Sequence, residues 1–131
     1  MTHEYTVLTG GVILTGMAGP PATAIAWAGD TVLALGDDAE VRAISRGDSQ
    51  FAELGGATVI PLRPGGEPAW PTTATLEVGG PADLAVLGRD PRDRAGTVDG
   101  RDLLAVVRAG RLVSGSFGIG PGRIDRPGPP T

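Results

Sequence analysis

The chain has 131 residues, 40% of them hydrophobic, which suits one domain with its own core; two Trp, two Phe and one Tyr against twenty-two Gly and twelve Pro favour short strands and many turns. A net charge of −4 and a sequence pI near 4.8 speak against nucleic acid or an anionic membrane as partner, and no apolar run reaches the roughly 20 residues of a spanning helix. With neither Cys nor Lys, disulfides, thiolate metal sites, cysteine nucleophiles and Schiff-base lysines are excluded.

Met1-Thr2-His3-Glu4 lacks the basic and apolar regions of a signal peptide, so the expected location is the cytoplasm. The next residues, Tyr5 to Thr9 and Gly11 to Leu14, are two β-rich runs that read as adjacent strands or as one strand with a bulge. Ala24 to Ala28 and Thr31 to Leu35, joined through Gly29-Asp30, read as a hairpin. Asp37 and Glu40 have the spacing of a capping box, which predicts a short helix with Val41, Ala43 and Ile44 facing inward and Gly47 ending it. After a small segment from Gln50 to Leu54, Gly55-Gly56 turns the chain into a strand over Ala57 to Ile60.

Pro64, Pro68 and Pro71 break any regular ladder between Leu62 and Thr73, because each lacks an N–H and restricts its predecessor. That stretch is a connector. Beyond it come a predicted strand over Ala74 to Val78, an apolar strand over Asp83 to Leu87 and a charged loop from Asp90 to Gly100. A second hairpin, Leu103 to Ala109 with Arg111 to Ser114, follows. The tail 116–131 is rich in Gly and Pro and is expected to be flexible. The fold class is therefore mainly β: a small sandwich with one or two short helices.

Gly79-Gly80-Pro81-Ala82-Asp83-Leu84, followed by Val106-Val107-Arg108-Ala109-Gly110, resembles a closing signature of the amidohydrolase superfamily, which includes imidazolonepropionase-like and other metal-dependent hydrolases. Ala28-Gly29-Asp30 and Ile60-Pro61 resemble its opening signature. The resemblance implies one composite domain over 1–115, built from halves at about 5–61 and 74–115 around the connector 62–73, with the family's catalytic barrel missing between them. In the family an H-x-H pair follows that proline; here the single histidine is His3. No metal ligand, catalytic residue or cofactor site transfers, so the resemblance implies no hydrolytic centre within this chain.

Several residues invite chemistry but have plainer readings. Asp37, Asp38 and Glu40 lack the alternating spacing of a calcium loop and suit helix capping. Asp83 suits a turn carboxylate that accepts nearby backbone N–H groups. Arg46-Gly47-Asp48 suits a helix-ending turn, Gly118 to Gly122 opens no helix as a phosphate loop would, and Ser114 and Ser116 have no activating base. Trp27 is expected in the core. Trp70 and Leu62 mark a possible interaction surface, where the face left by the missing barrel would be covered by the connector, by a second copy in a homodimer, or by a protein partner. The expected role is a non-catalytic structural or protein-interaction module. The alternative is an accessory subunit that completes a hydrolase acting on carbon–nitrogen bonds with a separately encoded barrel.

Overall fold

A computed structural model describes residues 5–44, 50–63, 65–93, 96–98 and 100–115. His3, Arg46-Gly47-Asp48, Ser116 and the tail 116–131 lie outside the described residues. In chain order the elements are β1 (Tyr5–Thr9), β2 (Val12–Ile13), β3 (Ala24–Ala28), β4 (Thr31–Gly36), α1 (Asp38–Ile44), β5 (Gln50–Glu53), β6 (Thr58–Pro61), β7 (Ala69–Trp70), β8 (Leu84–Leu87), β9 (Gly96–Thr97), β10 (Leu103–Arg108) and β11 (Arg111–Gly115). Short 3-10 turns occupy Pro91–Asp93 and Gly100–Asp102.

Two mixed sheets face each other. Sheet A has the order β4-β3-β1-β5 and sheet B the order β11-β10-β8-β6-β2; β1 with β5 and β2 with β6 run parallel, and the other pairs within them run antiparallel. Both predicted hairpins form, β3 with β4 and β10 with β11. Between the sheets, sheet A contributes Leu8, Ile25, Trp27 and Val32 to a buried cluster that sheet B completes with Ile13, Val59, Leu84, Val86 and Val107. The Trp27 indole reaches across that interior and donates from Nε1 to the Gly110 carbonyl at 3.0 Å. Gly110, at φ 77°, is required there, because a Cβ would collide with the Gly29 carbonyl.

Three local expectations are corrected. The runs Tyr5 to Thr9 and Gly11 to Leu14 are neither paired nor one bulged strand; β1 lies in sheet A and β2 in sheet B. Gly10, at φ 72°, makes the corner that transfers the chain. Residues 74–78 form no strand: they cross the open end of the sandwich, where the Leu76 N–H donates to the Thr15 carbonyl at 2.8 Å and the Leu76 side chain fills the interior. In α1 only Val41 is buried, against Val7, Ala24, Ala26 and Ala34 on the outer face of sheet A, while Ala43 and Ile44 are exposed. A helix of seven residues laid on small side chains presents too narrow a stripe to bury three.

The capping box forms as its spacing predicts. The Glu40 N–H donates to Asp37 Oδ1 at 2.8 Å and the Asp37 N–H donates to Glu40 Oε1 at 3.0 Å.

Candidate interaction face

The strands β6 and β8 explain why sheet B is unusual. Their sequences, Thr58-Val59-Ile60-Pro61 and Leu84-Ala85-Val86-Leu87, do not alternate with polar residues, and all eight side chains are buried. Successive side chains point to opposite faces of a strand, so a continuous apolar run requires cover on both sides. Sheet A covers the inner side. The outer side carries Leu14, Ile60, Leu62, Ala85, Leu87 and Val106.

What covers this outer side is the connector. Trp70 packs among those six residues, 7% exposed, and Leu62 is 4% exposed at the sheet margin. Among the described residues the backbone ties of this layer are few. The two-residue strand β7 pairs with β9 through Ala69↔Thr97 and Trp70↔Gly96, and the Leu62 N–H donates to the Asp83 carbonyl at 3.0 Å. Thus the connector contains one short ladder, and its partner comes from the loop predicted over Asp90 to Gly100. Trp70 and Leu62, singled out as a possible interaction surface, are both placed beneath or within this layer, with neither side chain presented to solvent.

Arg108 is the polar member of the site that sequence reading missed. It stands at the end of β10, two residues beyond Val106 on the outer face, and its Nη2 donates to the Gly66 carbonyl in the connector. Its Nη1 is buried without a hydrogen-bond partner. A guanidinium has only donors, so a buried N–H group that meets no protein acceptor carries a desolvation cost. The signal available in the sequence is the single cation that closes the apolar run Leu103 to Val107; nothing marks Gly66 as its acceptor.

The acidic side chains go elsewhere. Asp38 Oδ1 accepts from the Gly10 N–H at 3.2 Å and from the Thr23 hydroxyl at 3.1 Å, holding the corner between the sheets. Asp83 Oδ1 accepts from the Ala109 N–H at 2.7 Å; the donor was expected close by in sequence but is supplied by the β10–β11 turn, which the sheet brings alongside. Glu53 Oε2 accepts from the Thr9 hydroxyl at 2.8 Å and lies 3.6 Å from Arg42. The Arg92 guanidinium, hydrogen-bonded to Asp90, holds that carboxyl below the usual aspartate range. Among the described residues no group of three or more His, Cys, Asp or Glu is placed to hold a metal ion.

Two further surface features lie outside this face. An open hollow of about 600 Å³ lies between the loop before β3, the β4–α1 junction and the segment at Leu76, with Asp37, Glu40 and Glu77 at its rim. The strand β11 is an exposed edge, with Leu112 and Val113 turned to solvent. It is blunted, because the register with β10 shifts between Ser114 and Leu112 and leaves Val113 as a bulge, and because Arg111 lies opposite Arg108. Among the described residues no helix is long and apolar enough to cross a membrane.

No family model matches the sequence, and no match is found among curated proteins. A crystal structure of an uncharacterized metal-dependent hydrolase from Pyrococcus furiosus is similar to 44% of this chain at 22% identity, with a TM-score of 0.41. The matched part spans 13% of that protein, an overlap too small to assign this chain to its family.

Proposed function

We propose that this chain is a non-catalytic β-sandwich module that works through contact with another polypeptide, a second copy of itself being the simplest case, and that the outer face of sheet B is the contact surface. The observation that carries the reading is that sheet B is apolar on both sides while, among the described residues, its outer side is covered by the short connector and the loop that carries β9. The outer face of a small sandwich ordinarily meets water and alternates with polar residues. A continuous apolar outer face is surface of the kind that protein interfaces use. The placement of the described carboxylates supports the non-catalytic part: Asp38, Asp83 and Glu53 bond to backbone amides and hydroxyls at separate points, and of the three that line the open hollow, Asp37 and Glu40 are engaged in the capping box.

The test is to uncover the face. Trp70→Ala removes the largest side chain of the cover, and light scattering over a concentration series should then report self-association together with increased binding of a hydrophobic dye. A variant that stays monomeric and binds no more dye than the parent would sink the contact-surface reading. Metal analysis tests the other half: a tightly held stoichiometric zinc ion with turnover of a carbon–nitrogen bond would make the chain an enzyme in its own right.

A further inference from the structure

We infer that residues 65–73 form a displaceable strap, latched by Arg108 and seated by Trp70, which opens while the two-sheet sandwich stays folded and so controls access to the outer face of sheet B. The inference deepens the proposed function by naming the regulation of that same face; the opening itself can be measured whether or not anything docks.

Three observations meet at the strap. Its ladder is two residues long, β7 with β9, whereas β6 and β8 beneath it share four register pairs and β8 and β10 share another four. Its described anchors are side-chain contacts at two points, Trp70 in the apolar cluster and Gly66 on Arg108. A segment held by few backbone bonds and one large side chain opens at lower free energy than the sheet that it covers, because leaving costs only those contacts and no strand of the sandwich is unpaired. The third observation gives the closed state a built-in penalty: the buried Arg108 Nη1 has no partner while the strap is down. Lifting the strap lets water reach that donor, so part of what closure gains in apolar burial is returned as unmet hydrogen bonding. The same arginine therefore latches the strap and keeps it from being held too firmly.

Hydrogen exchange followed by NMR on the full chain tests this. The amides of Ala69 and Trp70 should exchange at least about tenfold faster than those of Ala85 and Val86, by a route nearly insensitive to low denaturant, as local openings are. A reversible lock supplies the second arm. Ala69 and Thr97 are antiparallel register partners, a separation of about 4.5–5.5 Å between Cα atoms that a disulfide can span, and the chain contains no cysteine of its own. Oxidised Ala69→Cys/Thr97→Cys should slow strap exchange at least about tenfold, and reduction should restore it. The inference is overturned if the strap amides exchange only as fast as Val86, or if the oxidised cross-link leaves their exchange unchanged. Where the lock variant fails to fold, the rates of the parent chain decide alone. Fast strap exchange with a monomeric Trp70→Ala would sink the docking surface and keep the strap; slow exchange with a self-associating Trp70→Ala would do the reverse.

Discussion

Each sheet has an outer cover, and the two covers are built on different principles. On sheet A the cover is α1, which satisfies its own backbone within the helix, is capped by the Asp37 and Glu40 pair, and needs only Val41 to seat it on Val7, Ala24 and Ala26. On sheet B the cover is the proline-interrupted connector, which among the described residues has few backbone bonds and is seated by Trp70 and by the Arg108 bond to Gly66. A regular element can lie on small side chains because its polar groups are already paired. An irregular one must be pinned by a large side chain and by borrowed donors.

The contrast can be broken or sharpened by substitution. The largest effect is expected in the interior that both covers leave untouched: Trp27→Ala should cost about 3–5 kcal/mol in denaturant unfolding, since it empties the centre and loses the bond to Gly110. Trp70→Ala should cost less, about 2 kcal/mol, because its loss is limited to what holds the strap down. Equal losses at the two tryptophans would show that the connector is an integral layer and not a cover. On the other side, Asp37→Ala should cost about 1 kcal/mol, seen as a lower unfolding midpoint with the strap's hydrogen exchange unchanged.

Smaller still, Arg42→Ala removes an exposed ion pair with Glu53 and should change the unfolding free energy by less than about 0.5 kcal/mol. The least effect concerns the loop that leads to β9. Asp90 is held below its ordinary range by Arg92, so its folded pKa lies under the unfolded value. Its small contribution is present above about pH 4 and is lost as the pH falls through the lowered folded value. Asp90→Asn should therefore flatten the acid limb of a stability–pH curve slightly and leave the neutral region with no such dependence to lose. A variant that instead altered the curve near pH 7 would point to a different titrating group.

Much of this was readable from short stretches of sequence. Both hairpins, the capping box at Asp37 and the turn at Gly55-Gly56 follow from residue types within a few positions of one another, where local sterics and hydrogen bonding decide. The apolar strand over Asp83 to Leu87 was legible too, while its cover on both faces came from the structure. Residues 74–78 misled because Thr75, Leu76 and Val78 have strand-like character, yet the segment crosses between sheet edges and finds no neighbour with which to form a ladder. Asp83 misled differently: a turn carboxylate was legible, while its donor, Ala109, is brought near only by pairing β8 with β10.

For the interaction face, the sequence marked Trp70 and Leu62 but was silent on the arginine that holds the strap. By itself the sequence determined a mainly β chain of short strands, one capped helix and a proline-broken connector, since each depends on interactions among close neighbours. Only the tertiary structure decided that β1 and β2 enter different sheets, that β1–β5 and β2–β6 run parallel, and that Arg108 meets Gly66. The physical reason is that period-two alternation gives a strand two faces without naming its neighbours, and contacts distant in sequence form where the whole chain buries most apolar surface with fewest unpaired polar groups.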